Sequence, residues 1–190
     1  MQLTQWERKW DRFMYRKQSN KTALQSQRLI TDALLSLMED IPFARITVTQ
    51  ICDRAGVGRK TFYRNFELKE DVITFRLDEL CAVYEAGLLG IPLERRLRYH
   101  FTFLKEHAAL LILLNRHGLR SMVNTKFSVF MPETMPRWSE DPVQQQYLSE
   151  YITAGIDAIM TRWIIRDFQE SLDEILALAQ RAQSGMHPIQ

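Results

Sequence analysis

The sequence predicts an all-α fold, and three observations carry that prediction. Apolar residues recur at helical spacing along nearly all of the 190-residue chain. Seven glycines and six prolines leave too few turn formers for a β-sandwich or barrel. No alternating strand pattern, internal repeat or low-complexity tract interrupts the helical spacing, so roughly nine helices are expected.

The elements follow in order. Ile30, Ala33, Leu34, Leu37 and Met38 mark one face of a first helix, with Thr22 and Gln25 as a capping box and Ile41-Pro42 as its stop. Val48, Ile51, Cys52 and Ala55 define a short second helix, boxed by Thr47 and Gln50 and ended by Gly56. A third runs from about Gly58 to Phe66, and a fourth starts near Lys69 and continues through Tyr84. After Gly87, Gly90 and Pro92, residues 93–114 hold one or two helices, and 119–130 another. Asp141-Pro142 reads as an N-cap with proline in the first helical position. The stripe that follows is Leu148, Tyr151, Ile152, Gly155, Ile156, Ile159, Met160 and Trp163. Ser171 and Glu174 box the start of the last helix.

Composition narrows the function classes. At 46% hydrophobic and 25% charged residues the chain has the balance of an ordinary globular protein. Two cysteines, Cys52 and Cys81, suffice for neither a disulfide framework nor a thiolate zinc site, and fit a reducing compartment. The longest apolar run, 108–114, is far short of the ~18–20 residues a membrane span needs. Residues 1–18 carry five basic and two acidic side chains without an apolar segment, so they are not read as a signal peptide. They read instead as a basic amphipathic helix that packs on the body, lies on a membrane surface or places Arg16 and Lys17 against DNA, or else as a flexible extension ahead of a start at Met14. The expectation is a cytoplasmic protein. Charge is uneven, with a net of +5 over residues 1–70 and −3 over 71–190. A polyanion-facing front and a body with another task fit that asymmetry, as does chance scatter.

The informative stretch is 47–69, TVTQICDRAGVGRKTFYRNFELK. Two short helices meet at a tight Ala55-Gly56-Val57-Gly58 corner, a helix-turn-helix. The second displays Arg59, Lys60, Thr61, Tyr63, Arg64 and Asn65 around a Phe62/Phe66 ridge, with no acidic residue. Arg and Lys pair with guanine edges, Asn with adenine, and Thr and Tyr reach phosphates or thymine methyls, so the surface suits a major groove. Lys69 opposes the dipole at a helix start, which makes sense where a phosphate docks; the plainer reading is a solvated lysine.

Ile46-Thr47-Val48-Thr49-Gln50-Ile51, Ala55-Gly56-Val57, Thr61-Phe62-Tyr63, Phe66 and Lys69-Glu70 together resemble the DNA-binding signature of TetR-family transcriptional regulators. The resemblance covers about residues 21–80 and implies a three-helix DNA-binding domain over 19–68. Residues 69–190 would form a helical effector-binding and dimerisation domain. It places Thr47 and Thr49 at the start of the positioning helix, the recognition residues on the next helix, and Lys69 on a backbone phosphate. Two departures stand out: Gly58 occupies a frequent Ser cap position, and Leu68 the place of a small polar cap.

A single helix-turn-helix reads few bases, so a homodimer on a two-fold symmetric double-stranded operator is expected. The dimer would pair Tyr151, Ile152, Gly155, Ile156, Ile159 and Trp163 with Leu172, Ile175, Leu176 and Ala179 of the last helix. The competing reading is that this stripe is the body's own core. The resemblance also implies an apolar effector cavity, assigned to Phe103, His107, Met122, Phe127 and Met131; plain packing is the alternative. His100 and His107 lie about 10 Å apart along one helix, too far to share an ion, so neither metal nor cofactor is expected. No nucleophile elbow or phosphate-cradling loop suggests an enzyme. A partner-binding adaptor remains as a second class, disfavoured by the cationic helix.

Overall fold

A computed structural model describes residues 21–127 and 137–183, and among these the architecture is all-α, with no strand. Nine α-helices and one 3-10 turn are described: α1 (Lys21–Met38), the turn Phe43–Arg45, α2 (Val48–Ala55), α3 (Arg59–Asn65), α4 (Lys69–Leu88), α5 (Leu93–Glu106), α6 (Ala108–Arg116), α7 (Arg120–Phe127), α8 (Pro142–Ile165) and α9 (Leu172–Gln183). The chain divides into two compact units, Met1–Leu80 and Cys81–Gln190. No helix among the described residues is long and apolar enough to cross a membrane.

In the first unit α1 buries Ile30, Leu34, Leu37 and Met38 against α2 and α3, as its spacing predicts. The cap expected at Thr22 is corrected: α1 is already helical at Lys21, so Thr22 sits inside it, its carbonyl accepting the Ser26 hydroxyl at 3.0 Å. Phe62 and Phe66 complete the core from α3, with ring centroids 5.9 Å apart, and Phe66 meets Phe75 of α4 at the same distance.

The second unit is built around aromatic rings. Residues 93–114 divide into α5 and α6 at His107, whose ring Nδ1 lies 2.8 Å from the Phe103 carbonyl. A side chain competing for a helix-closing carbonyl ends α5 without Gly or Pro. The α8 start is as expected: the Asp141 carboxylate accepts from the Val143 and Gln144 amides, with Pro142 in the first turn. Ser171 and Glu174 bond reciprocally at the start of α9.

Tyr84, Tyr99, His100, Phe103 and Phe127 form the interior of this unit. Tyr84 and His100 are almost wholly buried, and the Tyr84 hydroxyl lies 3.2 Å from His100 Nδ1. Burial drives the Tyr84 phenol well above its ordinary range and holds the His100 imidazole down at about 4. His100 is thus neutral when folded, and its acid form is favoured only in the unfolded chain. Its contribution is complete above the ordinary histidine value near 6.5 and drains away as pH falls toward 4. At 1.36 kcal/mol per pH unit, about 2 kcal/mol is lost by pH 5. Urea midpoints should therefore fall more between pH 7 and pH 5 in the wild type than in His100→Gln; equal falls would show that His100 does not drive the acid response.

Candidate nucleic-acid interface

The reading head is assembled by local hydrogen bonds that the sequence specifies. At the start of α2 the Thr47 hydroxyl accepts from the Gln50 amide at 3.3 Å, and the Gln50 side-chain carbonyl accepts from the Thr47 amide at 2.8 Å. This reciprocal pair fixes where α2 begins. Gly56 ends it at φ +65°, a left-handed conformation that glycine adopts without strain. The Val57 amide then reaches back to the Cys52 carbonyl at 3.0 Å, closing the corner. Gly58 has extended backbone and leads directly into α3, its carbonyl accepting from Thr61 and Phe62.

Alternation of buried and exposed positions then sets what α3 presents. Phe62 and Phe66 anchor it, while Arg59, Lys60, Tyr63 and Arg64 are exposed and Thr61 is half-buried. The Arg59 guanidinium stands 6.0 Å from the Tyr63 ring centroid, a cation–π contact that groups the two side chains on one surface. Thr47 and Thr49 are exposed at the α2 N-terminus.

Asn65, expected to read bases, is corrected. It is 1% exposed, and its amide nitrogen donates to the Thr61 carbonyl at 2.8 Å. Position 65 lies one turn beyond Thr61 on the inward side of a seven-residue helix, where its amide closes the last turn.

Lys69 is likewise committed inside the unit. Its ammonium donates to the carbonyls of Phe43 at 2.7 Å, Ile46 at 2.9 Å and Ala44 at 3.3 Å, and lies 4.6 Å from the centre of the Phe43 ring. These carbonyls gather negative potential around the 3-10 turn and balance the cation's unfavourable place at a helix start. The α4 cap is supplied differently from the expected polar residue at 68: the Asp71 carboxylate accepts from the Leu68 and Glu67 amides at 2.7 and 3.0 Å. Lys69→Met is expected to destabilise the DNA-free protein by about 2 kcal/mol, the scale of bonds made by a charged group. Unchanged urea stability with weakened DNA binding would instead make Lys69 a phosphate ligand alone.

In the body, the structure brings Phe103, His107 and Phe127 together: Phe103 lies 4.2 Å from His107 and 6.2 Å from Phe127 between ring centroids. Met122 is half-buried nearby in sequence, and Met131 lies outside the described residues. The helical stripe assigned to a partner is corrected for its main members. Ile152, Ile156, Trp163, Ile175, Leu176 and Ala179 are each at most 4% exposed within a single chain. They are core, because α8 packs on α6 and α9, and α9 on α5. Ile159 and Leu172 are half-buried, while Tyr151 and Gly155 remain on the outside. The outward face of α8 carries Tyr151 of the predicted interface together with Tyr147, Ala154, Ala158 and Ile165.

A polar constellation also escaped the sequence reading. Asn124 of α7 donates its amide to Asp157 Oδ2 at 3.1 Å and to Thr161 Oγ1 at 3.3 Å, both on α8. The signal was available as Gln145, Ser149, Thr153, Asp157 and Thr161, a polar residue every fourth position beside the apolar stripe.

A cationic helix held on a glycine corner, followed by a helical body, defines a helix-turn-helix DNA-binding transcription regulator. Residues 30–74 match the model of the family described as bacterial regulatory proteins, tetR family. The match places a DNA-binding domain of that family within the first unit. No curated protein matches it. Among solved structures it is similar to a TetR transcriptional regulator from Streptococcus agalactiae 2603V, with TM-score 0.62 and 18% identity over 85% of this chain and 95% of that one. It is similar to the fatty acid degradation regulator FadR from Bacillus halodurans, again at TM-score 0.62 and 18% identity, over 91% and 100% of the chains. A third similar structure is the dihydroxyacetone kinase operon activator DhaS, at TM-score 0.54 and 16% identity over 85% and 98%. At these identities the structures speak for the shared fold.

Proposed function

We propose that this tetR-family regulator is a homodimeric repressor that holds a two-fold symmetric operator and leaves it when a small molecule occupies the body. The observation that carries the reading is the exposed face of α3, where Arg59, Lys60, Tyr63 and Arg64 stand without an acidic neighbour on the helix. Thr47 and Thr49 face phosphates in this reading, and Thr61 the groove wall. Dimerisation uses the outward α8 face around Tyr147, Tyr151, Ala154, Gly155 and Ala158, where small residues permit close helix approach. The effector contacts the Phe103, His107, Met122 and Phe127 region and favours a dimer state whose reading heads no longer fit two half-sites. It shifts that equilibrium only by its difference in affinity for the two states.

The test is a footprint on DNA flanking the protein's own gene. Protection is expected on two half-sites related by a dyad and about 34–36 Å apart. Affinity should fall steeply with salt, since phosphate neutralisation releases counterions. Absent or unsymmetrical protection with a monomeric protein would sink the reading.

A further inference from the structure

The second unit contains a group of polar side chains in which two buried oxygens have no partner among the described residues. Asp157 sits half-buried on α8, and among the described residues its carboxylate receives one hydrogen bond, from Asn124. Asn124 spends both amide hydrogens, on Asp157 and Thr161, which leaves its carbonyl oxygen, Oδ1, buried and without a partner among the described residues. One turn before Asp157, the Thr153 hydroxyl is buried and equally unpartnered among the described residues. Unsatisfied buried acceptors are costly and rare in folded proteins, so each asks for an explanation.

Charge points the same way. Burial pushes the Asp157 carboxyl up, although Arg120, one turn before Asn124 on α7, pulls it down. Arg120 therefore offsets only part of the desolvation, and among the described residues no cation stands within ion-pair distance of this carboxylate. A half-buried carboxylate, an amide oxygen and a hydroxyl are together complementary to a compact cation with several N–H donors. A metal fits less well, because one carboxylate with one amide is a thin donor set for a hard cation. Phe127 follows one turn beyond Asn124 on α7, with its ring centroid 6.2 Å from that of Phe103.

We infer that Asn124, Thr153, Asp157 and Thr161 form the polar end of the effector site and select an amphipathic primary amine, its ammonium on Asp157 and Asn124 Oδ1 and its apolar body toward Phe127 and Phe103. This rests on the reading of the body as effector-binding and adds the ligand's chemical class. Binding supplies donors to acceptors that otherwise lack them, and competes with Arg120 for the carboxylate.

The test uses the full-length protein and three probes of equal chain length: n-octylamine (as its ammonium ion), n-octanol and octanoate. Octylammonium should raise the thermal midpoint by several degrees and release the footprinted DNA, whereas octanol and octanoate should do neither at the same concentration. By calorimetric titration, Asp157→Asn should weaken octylammonium at least tenfold, and Arg120→Gln should tighten it by removing a competing cation. The Arg120→Gln arm keeps the assignment falsifiable should Asp157→Asn fail to fold. An equal response to all three probes, or undiminished binding by Asp157→Asn, overturns the cation site while leaving an apolar effector pocket standing. A wild type that retards its operator but shows no response to octylammonium also overturns it, without touching the DNA-binding reading.

Discussion

Trp163→Ala is expected to cost about 3–5 kcal/mol of stability, the range for removing a large buried aromatic side chain. The indole is fully buried, with Phe168 at 4.7 Å and Phe101 at 5.9 Å between ring centroids. Its Nε1–H donates to the Glu170 carbonyl at 3.0 Å, so truncation also leaves a turn carbonyl without its donor. The Lys105 ammonium lies 5.2 Å from the ring and donates to the Phe168 carbonyl at 2.8 Å. These contacts hold Asp167 and Phe168 at φ +52° and +57°, a left-handed pair that costs on the order of 1–3 kcal/mol per residue unless its surroundings enforce it. The indole therefore ties α8, α5 and the turn into α9 together. Urea unfolding followed by circular dichroism measures the loss, and Trp163→Phe should retain much of the stability by keeping a ring. A variant that loses under 1 kcal/mol but halves its apparent mass on a sizing column would place Trp163 on a partner surface instead.

Features fixed by neighbours in the chain were legible: the Thr47–Gln50 box, the Gly56 corner, the Asp141-Pro142 start and the Ser171–Glu174 box all depend on residues within five positions of one another. Helical spacing also found the core residues of α1, α2 and α8. It could not say what covers them. The stripe through Ile152, Ile156 and Trp163 has the same period whether the opposing surface belongs to this chain or to a second copy, and here α6 and α9 cover it. Long-range uses of polar groups were equally hidden. Nothing near Lys69 in sequence announces that carbonyls more than twenty residues earlier will take its ammonium. The polar series beside the apolar stripe of α8 was hidden for the same reason, since its partner Asn124 lies 33 positions before Asp157.

On the footprinted operator, Arg59→Ala and Lys60→Ala are each expected to weaken binding by about 1–3 kcal/mol per half-site, the worth of a good base-edge contact. A two-fold operator is read twice, so the dimer should lose about 2–6 kcal/mol, enough to erase specific protection at working concentrations. Tyr63→Ala removes the ring beside Arg59 and should act in the same direction, since a grouped guanidinium has less freedom to lose on binding. All three side chains project from a helix whose anchoring residues are different ones, Phe62 and Phe66, so urea midpoints should move little. Asn65→Ala should behave in the opposite way. Its amide closes the helix from inside, and its loss should lower stability with no change in which base pairs matter. Mobility shifts on the wild-type operator and on half-sites with single base-pair changes separate the two patterns. If Asn65→Ala relaxed base preference while Arg59→Ala and Lys60→Ala left it intact, the reading face would lie on the other side of α3.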